Sequence, residues 1–225
     1  MSHPLHALPV VCEQTLRALA RYPERTAFAW PGGSISYRGA TDMIGRMQAV
    51  FMQLGLVPGT RVALLTANRA DTWCAGVAAQ LARLATTWLH PLGSLDDQLF
   101  QLEDSEAQML IVDGVTFRDR GGELAARATG LRSVFTLGPA SYGADLLQAI
   151  EAAGSATARS FATPDDMAAL NYTGGTTGKS KGALRHHREI SGSSGAILAD
   201  FEIPAAPRYL TVAPISHVAG TKVLP

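Results

Sequence analysis

Residues 61–66 read Arg-Val-Ala-Leu-Leu-Thr, residues 85–89 read Ala-Thr-Thr-Trp-Leu, and residues 108–112 read Gln-Met-Leu-Ile-Val. Runs of this length that stay apolar have no face to give to water. They read as strands covered on both sides, which is the situation of a parallel sheet with helices packed above and below. The intervening stretches supply the helices. Asn68 stands where it can cap the helix after the first strand. Ser94-Leu95-Asp96-Asp97 offers a cap and an acidic third position for the next. After Asp113-Gly114 the pattern continues with a helix through Ala128, a strand over 132–137 and a helix over 144–153. The fold class expected is therefore α/β, a mostly parallel sheet flanked by helices on both faces.

Working outward, Val10 to Arg21 has helical character and stops at Tyr22-Pro23. Thr26 to Trp30 and Ser34 to Tyr37 read as two strands around the turn Pro31-Gly32-Gly33. Ala40, Met43, Ile44, Met47, Val50, Phe51 and Leu54 recur at three- and four-residue spacing on one helix face, and Gly55 ends that helix. On the other side, 154–164 is a small, polar connecting loop. Met167 to Tyr172 reads as a strand, a helix is expected near Glu189 to Ala199, Arg208 to Ala213 reads as a strand, and 214–220 as a loop.

The 225 residues are 47% hydrophobic and 17% charged, a balance that supports a packed core. Nineteen basic and 19 acidic residues cancel, leaving no electrostatic footprint for nucleic acid. The two cysteines, Cys12 and Cys74, form no metal-ligand spacing, and a reducing, cytoplasmic setting is expected. The N-terminus lacks the pattern of a signal peptide, and no stretch reaches the roughly 18 apolar residues of a membrane span. His186 and His187 are adjacent and do not share a helix face, so no metal site is expected of them; His90 falls in a loop.

Chemistry concentrates in residues 171–183, Asn-Tyr-Thr-Gly-Gly-Thr-Thr-Gly-Lys-Ser-Lys-Gly-Ala. Gly174, Gly175, Gly178 and Gly182 free the backbone to expose its N–H groups. Thr173, Thr176 and Thr177 add hydroxyls, and Lys181 adds a point charge. A polyphosphate, whose oxygens only accept, calls for such donors in one short loop. Composition leaves an ordinary Gly/Thr-rich surface loop standing beside this reading. A P-loop NTPase pattern, G-x-x-x-x-G-K-[ST], fits poorly. Gly178-Lys179-Ser180 supplies its end, but position 173, where it needs its opening glycine, is Thr.

Tyr172-Thr173-Gly174-Gly175-Thr176-Thr177-Gly178-Lys179-Ser180-Lys181-Gly182 resembles the signature loop of the adenylate-forming (AMP-binding) superfamily, which includes acyl-CoA synthetases. Gly174 stands where Ser is usual, as in some long-chain acyl-CoA synthetases, and Ser180 where Pro is usual. Tyr22-Pro23-Glu24-Arg25-Thr26-Ala27, Ile35-Ser36-Tyr37, Val57-Pro58-Gly59 with the strand to Leu65, and Leu102 to Asp113 also resemble family segments in order and spacing. Ala213-Pro214-Ile215-Ser216-His217 resembles the segment that lines the family's carboxylate and acyl pocket, with His217 as the matching histidine.

The resemblance implies an ATP-dependent ligase. A carboxylate attacks the α-phosphorus of ATP to give acyl-AMP and pyrophosphate, and coenzyme A then takes the acyl group as a thioester. It implies Lys181, Thr176 and Thr177 as the catalytic donors to the leaving phosphates. Thr173, Gly174, Gly175, Gly178 and Gly182 join them in binding ATP, with Mg²⁺ accompanying the nucleotide. The partner expected is a small carboxylic acid, with fatty acids favoured by Gly174, and exposed apolar surface leaves room for a homo-oligomer. Residues 1–225 are expected to be an N-terminal part of the family's large domain. Within it, 1–153 forms a first sheet region, and 165–225 the phosphate loop and the start of a second. The aromatic-Gly-x-Thr-Glu and Thr-Gly-Asp segments and the C-terminal domain with its adenylation lysine do not occur in the sequence, so the chain by itself is expected to be inactive. A P-loop nucleotide hydrolase and a non-catalytic remnant acting as a binding module are the alternatives.

Overall fold

The computed structural model describes residues 10–173, 180–202, 204 and 207–216. Its centre is three parallel strands, β3 (Arg61–Leu65), β4 (Ala85–Trp88) and β5 (Ala107–Val112), with β3 between the other two. β6 (Ser133–Thr136) and the short β7 (Ala144–Asp145) extend the sheet beyond β5, again in parallel. On the other side β8 (Met167–Thr173) lies parallel to β4, and β9 (Lys181–His186) returns antiparallel to β8. The order is β7-β6-β5-β3-β4-β8-β9, six parallel strands and one antiparallel edge strand. A separate hairpin, β1 (Thr26–Trp30) with β2 (Gly33–Ser36), stands apart from it.

Both faces of the sheet are covered, as the apolar runs require. Val62 and Leu64 of β3 and Met109 and Ile111 of β5 point into one core, shared with α1 (Val11–Arg21), α2 (Tyr37–Gln53), α3 (Ala70–Leu81) and α6 (Leu146–Ala153). Their neighbours Ala63, Leu65, Leu110 and Val112 point into a second core under α4 (Leu95–Asp104) and α5 (Arg118–Arg127). The period-two alternation of a strand thus divides one apolar run between two cores. The helix expected from the 40–54 periodicity is α2, with Ile44 and Met47 fully buried and Ser36 accepting the Gly39 N–H at its start.

The connection after α6 is clamped to α2. Gln48 donates to the Arg159 carbonyl and accepts the Arg159 N–H at 3.0 Å. Gly45, one turn earlier, leaves space for that strand of chain: a Cβ there would sit 2.1 Å from the Ala156 carbonyl oxygen. Next, Arg83 grips Asp166 with two bonds of 3.0 and 2.9 Å at the entrance to β8. The guanidinium holds the Asp166 carboxyl below the usual carboxylate range.

Several expectations are corrected. Ala144 and Asp145 form β7 and not the first turn of a helix, because the Asp145 carboxylate accepts the Leu147 N–H at 2.9 Å and so caps α6. Asn68 does not cap α3: Arg69 is the residue before that helix, and no side chain caps it. Residues 181–186, which carried no strand expectation, form β9. Its exposed Lys181, Gly182, Ala183 and Leu184 lack the burial that marks an inner strand, and charge on an edge strand is how sheets discourage further pairing. Residues 208–213 are not a strand, since no described strand lies beside them to complete a ladder. The helix that follows β9, α7 (His187–Asp200), covers the expected 189–199.

Candidate active site

β8 runs parallel to β4, so it delivers Thr173 to the same edge of the sheet as the carboxyl ends of β3, β4 and β5. Open α/β sheets bind their ligands at that edge. The chain leaves β8 there, passes through 174–180 and re-enters the sheet as β9. Thr173 pairs with Lys181 and Tyr172 with Gly182, so the glycine–threonine segment is closed by a β-stem. Gly182 faces Leu170 and Tyr172, and a Cβ at this position would lie 3.1 Å from Leu170 Cδ1. Both Thr173 and Lys181 are exposed, and Thr173 Oγ1 lies 3.4 Å from the Lys181 carbonyl oxygen, to which it donates. Gly174, Gly175, Thr176, Thr177 and Gly178 lie outside the described residues, as does His217.

Each arm of the stem is also fastened to α4. Tyr172 Oη donates to Asp104 Oδ2 at 2.6 Å. Gln101 Nε2 donates to Ser180 Oγ at 3.4 Å. Burial of the ring and then the Asp104 carboxylate push the Tyr172 phenol well above its ordinary range. Ser180, where the family pattern has Pro, thus gains a side-chain anchor that Pro cannot make. Sequence reasoning did not find Gln101 and Asp104, because nothing in an amphipathic helix marks which polar residues face a distant hairpin.

Two more groups sit at the same edge. Arg69 bonds both oxygens of Asp71, at 3.0 and 2.6 Å, and Asp113 Oδ1 at 3.1 Å. Asp113 is fully buried and also accepts the N–H groups of Val115 and Thr116. All of these contacts fall on Oδ1; Oδ2 is buried and has no hydrogen-bond partner among the described residues. The second group is Asn68, whose amide reaches the backbone of residues 211, 213 and 215. A cavity of about 550 Å³ beside the start of α5 is lined by Val115 to Arg120 and Glu123, and by none of the described loop residues.

Among the described residues no three His, Cys, Asp or Glu side chains converge on a point that could hold a metal ion. The threonine hydroxyls and the ammonium groups of Lys179 and Lys181 in this segment are of the kind that donate to phosphate oxygens. The thiols are inert: burial pushes Cys12 up to about 12 and Cys74 higher still, so neither is a thiolate near neutral pH. No described helix is long and apolar enough to cross a membrane.

The family model for AMP-binding enzymes matches residues 16–224. This chain belongs to that family. Adenylate-forming acyl-CoA ligases are among its members. A medium/long-chain-fatty-acid–CoA ligase of Mycobacterium tuberculosis is 34% identical over 194 residues, 82% of this chain and 34% of that protein. A fatty acyl CoA synthetase structure from the same organism superposes with a TM-score of 0.81 at 21% identity, covering 95% of this chain and 42% of the other. The o-succinylbenzoate CoA synthetase of Bacillus subtilis, solved with its acyl-adenylate OSB-AMP, gives a TM-score of 0.76 at 25% identity, with coverages of 93% and 52%. The AMP-binding chain thus spans between a third and about half of the length of these relatives. The names of these relatives specify different acids.

Proposed function

We propose that this AMP-binding chain supplies the triphosphate-binding part of a ligase that activates a carboxylic acid, by preference a fatty acid, as its acyl-adenylate. One observation carries this reading: the β8–β9 stem that flanks 174–179 in sequence opens at the carboxyl edge of the sheet and is braced on α4 through Tyr172 and Ser180. Adenylation needs such bracing. Charge builds on the leaving pyrophosphate, and donors fixed in advance stabilise it without having to reorganise. In this reading Thr173 and the N–H groups of Gly174, Gly175, Gly178 and Gly182 hold the phosphates. Thr176, Thr177 and Lys181 meet the charge that develops as the α-phosphorus is attacked. Mg²⁺ accompanying ATP would neutralise part of that charge. His217 faces the carboxylate. The preference for a fatty acid rests on the M. tuberculosis relative and on Gly174.

The test is ATP–pyrophosphate exchange with dodecanoate, benzoate and o-succinylbenzoate, on polypeptide expressed from the whole reading frame and on the 225 residues alone. Carboxylate-dependent exchange in the first and none in the second is expected. ATP hydrolysis without any acid would instead indicate a nucleotide hydrolase. Absence of both nucleotide binding and exchange would leave a non-catalytic module.

A further inference from the structure

Residues 209–213 are mostly exposed, with Leu210 79% and Val212 77% accessible, and they belong to no sheet. Yet Ile215, two residues after Ala213, is buried, with only 4% of its surface accessible. One side chain accounts for the course of the backbone between them. Asn68 Nδ2 donates to the carbonyls of Thr211 (3.4 Å) and Ala213 (2.9 Å), and Asn68 Oδ1 accepts the Ile215 N–H at 2.8 Å. The three backbone groups belong to alternate residues, the spacing at which a neighbouring strand would pair. A single amide is suited to this because it carries two donors and an acceptor on one rigid plane. An aspartate could not donate, and an alanine could do neither.

Asn68 is exposed, but its backbone is tied to the sheet edge. It follows the end of β3, and the next residue, Arg69, is pinned by Asp71 and by the buried Asp113 of the neighbouring strand end. The clasp therefore references the 211–215 backbone to the carboxyl ends of β3 and β5, across 147 positions of sequence between Asn68 and Ile215.

We infer that Asn68 is a positioning residue for the segment proposed above to bind the acid: it fixes the backbone from Thr211 to Ile215, where the chain enters that segment. This rests on the adenylation reading above. Asn68 touches no reacting atom; it acts through the segment it holds. Binding of the carboxylate is expected to depend on it more than binding of ATP, whose loop is braced separately on α4.

The test has two readouts. The first is amide hydrogen exchange on the 225-residue chain. Asn68→Ala is expected to raise exchange of the peptide covering 209–216 by up to about tenfold, the scale of one lost hydrogen bond. Peptides from β3, β4 and β5 should be unchanged, which reports an intact fold. Asn68→Asp keeps an acceptor for the Ile215 N–H and loses both donors, so an intermediate effect is expected. The second readout is ATP–pyrophosphate exchange with dodecanoate on the whole reading frame. There Asn68→Ala should raise the KM for dodecanoate about tenfold and leave the KM for ATP within about twofold. Unchanged exchange at 209–216 in Asn68→Ala overturns the clasp. A uniform rise in both KM values overturns the positioning role. A wild-type protein that exchanges no pyrophosphate with any acid overturns the adenylation reading itself, and with it this inference about the acid site, whatever the hydrogen exchange shows of the clasp.

Discussion

Tyr172 donates its phenol proton to Asp104 at 2.6 Å, joining the last turn of α4 to the strand that enters the glycine–threonine loop. The phenol is held above its ordinary pKa by burial and by that carboxylate. A raised pKa on an acid means that the fold favours the protonated ring. The stabilisation is complete below about pH 10, where the unfolded tyrosine is also protonated, and it is lost as pH rises through the folded value. In an alkaline absorbance titration, Tyr172→Phe should therefore remove amplitude from the high-pH end of the curve and none from the region near pH 10. The same substitution is expected to cost about 1 kcal/mol or less in stability, because the pair is partly in water.

A second relationship predicts a cost of the opposite origin, overpacking. Replacing Gly45 by Ala puts a Cβ 2.1 Å from the Ala156 carbonyl oxygen and 2.8 Å from the Ala158 nitrogen, both backbone atoms. Alanine in mid-helix gains roughly 0.8–1 kcal/mol over glycine from propensity alone. The clash is larger, since the 156–158 segment must move away and the Gln48–Arg159 pair moves with it. Net destabilisation of about 1–3 kcal/mol is expected for Gly45→Ala, read as a lowered thermal midpoint. A raised midpoint would mean that the segment yields freely.

The sheet was legible in the sequence for a physical reason: Arg61–Leu65 and Ala107–Val112 are buried on both faces, and a strand without a wet face has few other readings. The stem of the loop was half legible. β8 carries Ala168 and Ala169 into the core, whereas β9 is exposed over its first four residues and carries no burial pattern to read. The clasp by Asn68 and the braces from Gln101 and Asp104 were not legible. Each is a contact between residues far apart in sequence, made by side chains whose polarity is equally consistent with a helix cap or a solvated face. Nothing local distinguishes these uses; only the return of the chain to the same sheet edge does.

His187 predicts an acid-side loss of stability. It is fully buried at the start of α7, and neither ring nitrogen has a hydrogen-bond partner among the described residues. Burial, chiefly, lowers its pKa to about 4. The folded state thus prefers the neutral ring, and nothing is lost above pH 6.5, where the unfolded ring is neutral too. Between about pH 6.5 and 4 only the unfolded chain takes up the proton, so stability falls as the solution is acidified, by up to roughly 3 kcal/mol. Asp166, whose carboxyl is held low by Arg83, adds its own loss at lower pH still. Denaturant midpoints measured from pH 7 to 4 should decline in wild type and decline less in His187→Leu. Parallel curves would place the proton uptake on other groups.

The remaining prediction separates two phosphate-loop chemistries through two lysines. In a P-loop NTPase the lysine that follows the final glycine of the loop meets the β- and γ-phosphates, and here that residue is Lys179. In the adenylate-forming reading the phosphate-facing lysine is Lys181. Lys181 is the first residue of β9 and pairs with Thr173 across the stem, so its backbone is fixed at the mouth of the loop. On polypeptide from the whole reading frame, Lys179→Ala is expected to change ATP–pyrophosphate exchange less than about twofold. Lys181→Ala is expected to slow it. One charge-assisted hydrogen bond is worth about 1.5–3 kcal/mol where it is used fully in the transition state, which is roughly ten- to a hundredfold in rate. The loop N–H groups and the hydroxyls of Thr176 and Thr177 remain in that variant, so impairment and not abolition is expected. Should Lys179→Ala abolish nucleotide turnover while Lys181→Ala is neutral, the loop works as a P-loop despite Thr at position 173, and the role assigned to Lys181 is wrong.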